Sequence, residues 1–217
     1  MANLRATLAA AKLILFDFDG PICDVFAGLP AVTVARRLEG ILGVRVDSDD
    51  PLRVLQEATR FGPEVVQAVE SELVSAEVEA VNTAAPTPGG LESMRAALAA
   101  GKSVGVLSNN SPKAITCFLR SAGLLVDVEP IVGRAYGRPD LMKPHPYLLQ
   151  QALTCAQVNP GDAVFIGDSA TDIQVALNGG VTPIALANKA EKRASFERSS
   201  SLVIDDMNSV KTNLATA

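Results

Sequence analysis

Seven residues carry the chemistry open to this chain of 217 residues: Asp17, Asp19, Ser108, Asn109, Lys143, Asp168 and Asp172. They fall in four stretches. Asp17-Phe18-Asp19-Gly20 follows the apolar run 13–16, Ser108-Asn109-Asn110-Ser111 follows 104–107, and Gly167-Asp168-Ser169, with Asp172 one helical turn on, follows 163–166. Lys143-Pro144 precedes a helical pattern. Taken alone, each stretch has an ordinary structural reading: a turn, a serine cap, first-turn acids facing a helix dipole, a solvated lysine. Taken in order, they support a joint one. Carboxylates brought together repel unless a cation lies between them, and hard oxygen donors suit Mg2+. Beside such a cation one carboxylate can attack phosphorus while a second protonates the leaving oxygen and then activates water. Asp17 and Asp19 fit these roles. Lys143, the Ser108 hydroxyl and the backbone N–H groups of 108–110 can neutralise a phosphoryl group in transfer.

Residues so far apart must be gathered by the fold. Uninterrupted apolar runs at 13–16, 104–107, 163–166, 182–185 and 202–204 alternate with helical patterns at 91–100, 112–122, 146–155 and 171–178. Strands apolar on both faces, separated by helices, predict an α/β fold with a Rossmann-like parallel sheet. In such a sheet ligands bind beyond the carboxyl ends of the strands, where these polar residues fall. Between 21 and 87 the alternation stops, and no strand-like run is visible. Helical patterns at 32–42, 52–60 and 63–81 predict an inserted α-helical cap, the last with Val65, Val69, Leu73, Val74, Val78 and Val81 on one stripe. The expected division is a core of 1–20 and 88–217 and a cap of 21–87, hinged at 20–23 and at the breaker cluster 86–90.

Composition fits a globular chain with one domain and an insert: 48% hydrophobic, 20% charged, formal charge −5, mean hydropathy +0.23. A pI near 5.0 argues against nucleic acid or an anionic membrane surface as partner. The acidity belongs to 21–87, where five arginines face eleven acids; the remainder is nearly neutral. Three scattered cysteines, Cys23, Cys117 and Cys155, suggest neither a disulfide framework nor a zinc cluster. No signal peptide or apolar span of membrane length is visible. A cytoplasmic monomer or homodimer is expected, with a small phosphorylated metabolite as its partner.

The order FDFDG (16–20), VLSNN (106–110), Lys143-Pro144 and GDSATD (167–172) resembles the haloacid dehalogenase superfamily. PTPGG at 86–90 is similar to the re-entry from cap to core in its phosphoglycolate-phosphatase-like branch. The resemblance implies Asp17 as nucleophile and Asp19 as general acid and base. It implies a Mg2+ site of Asp17, Asp19 through its backbone carbonyl, Asp168 and Asp172. Ser108 and Lys143 would hold the phosphoryl group, with Gly20 and Asn109 completing its binding loop. The activity implied is a Mg2+-dependent phosphatase acting on a small phosphate monoester through an aspartyl-phosphate. Alternatives are a sugar-phosphate mutase or a non-catalytic phospho-ligand-binding protein. Asp19 disfavours a dehalogenase, and a 21–87 interval free of lysine disfavours a Schiff-base phosphonate hydrolase. Pro21 departs from the usual threonine and is expected to alter loop detail. Arg36, Arg37, Arg45, Arg53 and Arg60 are candidates for a distal anionic group on the substrate. His145 is explained by helix-start geometry, Asp24 by an acidic site position or a helix cap, and Cys23 by packing or oxidation sensitivity near the site.

Overall fold

The computed structural model describes residues 3–188, 190–199 and 202–215. Its sheet is organised around β1 (Leu13–Phe16), all four residues of which are buried. Side chains alternate across a strand, so Ile14 and Phe16 enter one core cluster while Leu13 and Leu15 enter another. β4 (Ser103–Leu107) and β6 (Ala163–Gly167) pair with β1 on either side, parallel, with Phe16 opposite Val106 and Ile166. Adding β5 (Ile131–Val132), β7 (Thr182–Leu186) and β8 (Leu202–Ile204) gives the parallel order β5-β4-β1-β6-β7-β8.

Helices cover both faces. On one side lie α1 (Leu4–Ala10), α5 (Gly90–Ala99), α6 (Pro112–Ser121) and α10 (Asn208–Ala215). On the other are α7 (Tyr147–Ala156) and α8 (Ala170–Asn178). α9 (Ala190–Arg198) packs through Phe196. This is the expected α/β architecture, and each of the five expected strands lies in the sheet.

Between β2 (Cys23–Asp24) and β3 (Ala85–Pro86) three helices pack on one another: α2 (Ala31–Leu42), α3 (Pro51–Ala58) and α4 (Pro63–Ala80). Their shared core contains Val34, Leu38, Val54, Leu55, Val69 and Leu73. Asp50 starts α3 by accepting the Leu52 N–H at 2.9 Å, with Pro51 pre-set for the first turn.

Two expectations for this interval are corrected. It is not wholly helical, because β2 and β3 form an antiparallel ribbon; two-residue strands are too short to give an alternating pattern. The buried face of α4 is also displaced from the valine stripe. Val65, Val74 and Val78 are only half-buried, while Val66, Glu70, Ala76, Glu77 and Ala80 are fully inside. Val69, Leu73 and Val81 of the stripe are buried as expected, and Glu70 and Glu77 join the buried side, where both meet Arg134.

Candidate active site

Asp17 leaves β1 still tied to the sheet: its N–H donates to the Ile166 carbonyl at 2.8 Å, and its Oδ1 accepts the Phe18 N–H at 2.8 Å. Lys143 Nζ stands 2.9 Å from Asp17 Oδ1 and 2.6 Å from Asp172 Oδ1. It also donates to the Leu107 carbonyl at 3.4 Å and lies over the Phe165 ring. All three charged side chains are at least nine-tenths buried.

Asp168 follows β6, and Asp172 sits in the first turn of α8. A reciprocal cap fixes the latter: Ser169 Oγ accepts the Asp172 N–H at 3.2 Å, and Asp172 Oδ2 accepts the Ser169 N–H at 3.0 Å. Asp172 Oδ1 is thereby turned inward, with the Lys143 ammonium beside it and no hydrogen bond of good geometry. Gly20 has φ +106°, and a Cβ there would come within 2.6 Å of Asp168 Cγ, so the first loop can press against Asp168 only as glycine.

One carboxylate oxygen each from Asp17, Asp168 and Asp172 lies within 4.8 Å of the others. The Asp19 carboxylate stands apart from this cluster, its Oδ1 accepting the Val25 N–H at 3.0 Å. The donor set fits a hard divalent cation. Three clustered carboxylates here face two ammoniums, those of Lys143 and Lys192, and the surplus of negative charge favours a cation. Lys192 bonds Asp168 Oδ2 at 2.7 Å and its carbonyl at 2.9 Å.

Burial, then the Asp172 charge, pushes Asp17 up to about 8, with Lys143 pulling it back. Burial also pushes Asp19 up to about 6, opposed by the Val25 N–H. Lys143 is held at about 12: burial disfavours its charge, but Asp17 and Asp172 outweigh burial. A carboxylic acid whose proton is held to higher pH than an ordinary aspartate's and a permanently charged lysine therefore flank the nucleophile candidate.

The Ser108–Asn110 loop closes the other side. Ser108 is buried and its Oγ donates to Asn110 Oδ1 at 3.1 Å, while the Asn110 N–H returns to Ser108 Oγ at 3.3 Å. Asn109 Oδ1 accepts the Lys143 N–H at 2.8 Å, fastening the lysine's loop to this one. A cavity of about 590 Å3 opens over these groups. Asp17, Asp19, Ser108, Asn109, Lys143 and Asp168 line one wall, and Phe26, Arg53, Gln56, Leu73 and Glu77 from the 21–87 interval line the other.

Of the five candidate arginines only Arg53 reaches the cavity. Arg36 pairs with Glu39 and Asp49, Arg37 with Glu79, Arg45 with Glu39, and Arg60 with Glu57. His145 Nδ1 accepts the Tyr147 N–H at 3.2 Å, the expected helix-start role. Asp24 lies in β2 and caps no helix. Burial pushes the Cys23 thiol up, away from the reactive thiolate. On either side of Pro21 the chain is bonded to Thr87: Thr87 Oγ1 donates to the Gly20 carbonyl at 2.5 Å and Thr87 N–H to the Ile22 carbonyl at 2.9 Å.

Sequence reasoning missed Lys192, Glu70, Glu77 and Arg134. The last three form a buried cluster: Arg134 Nε lies 2.7 Å from Glu70 Oε1, and its Nη1 lies 2.9 Å from Glu77 Oε1. The only signal was the seven-residue spacing of the glutamates, which places both on one helix face.

The family model for haloacid dehalogenase-like hydrolases matches residues 11–180. No curated protein sequence matches the chain. Among solved structures, a predicted phosphatase from Clostridium acetobutylicum superposes with TM-score 0.75 at 15% identity, covering 95% of this chain and 99% of its own. A predicted phosphoglycolate phosphatase from Haemophilus somnus gives TM-score 0.70 at 18% identity, covering 94% and 97%. CbbY from Rhodobacter sphaeroides, in complex with phosphate, gives 0.71 at 19% identity, covering 91% and 95%. At these identities the structural likeness establishes the fold. No helix among the described residues is long and apolar enough to cross a membrane.

Proposed function

This chain belongs to the haloacid dehalogenase-like hydrolases, and from that premise we propose that it is a Mg2+-dependent phosphatase that hydrolyses a small phosphate monoester through an aspartyl-phosphate on Asp17. The observation that carries the reading is the contact of one buried lysine, Lys143, with both Asp17 and Asp172, within reach of Asp168.

The carboxylates of Asp17, Asp168 and Asp172 and the backbone carbonyl of Asp19 would hold Mg2+, which neutralises phosphoryl oxygens and favours ionised Asp17. A carboxylate oxygen of Asp17 attacks phosphorus in line with the ester oxygen. As the P–O bond breaks, Asp19 gives its proton to the departing alkoxide, which leaves as the alcohol. Asp19 then takes a proton from a water that attacks the aspartyl-phosphate, releasing inorganic phosphate and restoring the Asp17 carboxylate. Lys143, the Ser108 hydroxyl and the Asn109 N–H hold the phosphoryl oxygens throughout, since the Ser108 N–H is bonded to the Val132 carbonyl and the Asn110 N–H to Ser108 Oγ.

The α2–α4 bundle acts as the cap, with the β2–β3 ribbon as its hinge. Closing it over the cavity excludes bulk water, and a covered pocket favours small soluble esters over polymers. Arg53 and Gln56, hydrogen-bonded at 3.2 Å on the bundle wall, meet the part of the substrate away from phosphate.

The test is phosphate release from a panel of monoesters with Mg2+, against EDTA and Asp17→Asn controls. Release that requires Mg2+ and Asp17 is expected. Equal release by wild type and Asp17→Asn overturns the assignment.

A further inference from the structure

Glu77 lines the cavity but touches none of the groups assigned to chemistry. Instead its Oε2 accepts the Ser111 N–H at 2.9 Å, and its Oε1 accepts from Asn110 Nδ2 at 3.4 Å. Asn110 is the residue whose side-chain oxygen takes the Ser108 hydroxyl. Arg134, on the loop after β5, closes the arrangement. Its Nη1 donates both to Glu77 Oε1 and, at 2.5 Å, to the Asn109 carbonyl, and the Arg134 N–H donates to the Asn110 carbonyl at 2.9 Å. The ion pair, with side chains 0% and 1% exposed, thus grips the backbone of 109–111 at the Asn109 carbonyl and the Ser111 N–H, and the Arg134 backbone N–H adds the Asn110 carbonyl.

Stability does not account for this pair. Two ions removed from water cost about as much as their attraction returns, and apolar side chains of like volume commonly serve a fold as well. Apolar side chains could seat α4, but they could not bond the loop. We propose that Glu77 and Arg134 are positioning residues: the pair holds Asn109, Asn110 and Ser111 so that the Ser108 hydroxyl and the Asn109 N–H face the phosphoryl group.

Because Glu77 rides on α4 and Arg134 on the β5 loop, the seat of the bundle and the geometry of the phosphoryl loop are set together. Glu70, two turns before Glu77, steadies Arg134 without touching the loop. Tyr136 continues the seam, its hydroxyl 2.6 Å from Ser71 Oγ on α4. The donors of an oxyanion site act only when pre-aimed, which is what a buried clamp on their own backbone provides.

The effect on catalysis rests on the phosphatase reading, so the test has one arm that does not. Amide exchange is followed by NMR in the full chain without ligand, in wild type, Glu77→Ala, Glu77→Gln and Glu70→Gln. Ser111 N–H is expected to exchange about ten-fold faster or more in Glu77→Ala, with partial protection in Glu77→Gln, which keeps an acceptor, and near-wild-type protection in Glu70→Gln. In the second arm, kcat for p-nitrophenyl phosphate with Mg2+ falls in the same order, about ten-fold or more for Glu77→Ala and within about two-fold for Glu70→Gln, with kcat falling further than KM rises. If Glu77→Ala does not fold, Glu77→Gln against Glu70→Gln decides.

The proposal is overturned if folded Glu77 variants keep wild-type Ser111 protection, or if they lose kcat no more than Glu70→Gln. Should the wild type hydrolyse no ester, the phosphatase reading falls and the exchange arm alone decides whether the clamp exists.

Discussion

Lys143 holds Asp172 more closely than it holds Asp17, at 2.6 Å against 2.9 Å, and the Asp172 oxygen it meets has no other good hydrogen-bond donor. One ammonium therefore serves two buried carboxylates. Removing it leaves both buried side chains without this counter-charge. Lys143→Met is expected to destabilise the metal-free fold by about 3–5 kcal/mol, the range for breaking a buried ion pair. It should also lower kcat by about 10²–10³, as loss of an oxyanion donor does. Lys143→Arg should rescue little, because a planar fork cannot place one charge between Asp17 and Asp172 over the Phe165 ring. Urea unfolding and steady-state phosphate release check both halves.

Asp17 gives a second expectation whose sign is unusual for a carboxylate. Its ordinary value near 3.8 applies to the unfolded chain, and burial with Asp172 raises it to about 8 in the fold. Below about pH 4 both states hold the proton and no penalty arises. Between about 4 and 8 the unfolded chain releases the proton more readily, so this group's contribution to stability falls as pH rises and levels off above 8. Lys143 stays charged throughout that window and adds no slope. In EDTA, Asp17→Asn should melt above wild type at pH 8, with the gap closing toward pH 4. Mg2+ should raise the wild-type melting temperature more than that of the variant. Scanning calorimetry at the two pH values is decisive: equal melting of the two proteins throughout removes the electrostatic account of Asp17.

Asp19 is raised to about 6, chiefly by burial. As the acid that protonates the leaving oxygen it must hold its proton, so kcat/KM for an alkyl phosphate should fall as pH rises through about 6. p-Nitrophenyl phosphate leaves as a stable phenolate and needs no such proton, so its kcat/KM should lack that limb. Asp19→Asn should cost the alkyl ester about 10²–10⁴ and the aryl ester much less. Parallel pH profiles for both esters would deny Asp19 the acid role.

Gly20 tests the closeness of the first loop to Asp168. A methyl group there meets the Asp168 carboxylate at 2.6–2.8 Å, and φ of +106° is strained for any L side chain. Gly20→Ala should weaken Mg2+ binding by about ten-fold or more, while far-ultraviolet circular dichroism stays as in wild type. Unchanged affinity in a Mg2+ titration followed by calorimetry would mean that the loop yields without disturbing Asp168.

The placement of Asp17, Ser108 and Asp168 was legible because buried parallel strands leave short apolar runs, and the polar residues that end those runs come to one edge of the sheet. Other parts left no such trace. Ile131–Val132 is two residues long, and among the buried residues of α9 Phe196 alone is a large hydrophobic, so neither offers a period to read. Glu70 and Glu77 reverse the usual rule that charge marks the solvent side of a helix. Their partner Arg134 lies 64 and 57 residues away, on a loop without pattern. Pairing across such a distance is a property of the folded interface, and one chain's local pattern does not encode it visibly. For the same reason the sequence could not rank five arginines that differ only in what faces them.

Arg53 is the arginine whose rank the fold settles, and it is where substrate choice can be altered without touching phosphate. It shares the cavity wall with Gln56, while Asp49 and Asp50 also line the pocket and set a limit on how much negative charge it accepts. With Asp49 paired to Arg36, one guanidinium beside Asp50 suits a single distal carboxylate or a hydroxyl array better than the double charge of a second phosphate. Arg53→Ala should therefore raise KM about ten-fold or more for a phosphate ester with a distal carboxylate. It should leave kcat within about three-fold, since uniform binding is lost and the reacting atoms are untouched. For p-nitrophenyl phosphate, which has no such group, KM should be unchanged. A rise in KM of the same size for both esters would mean that Arg53 shapes the cavity as a whole and recognises no distal group.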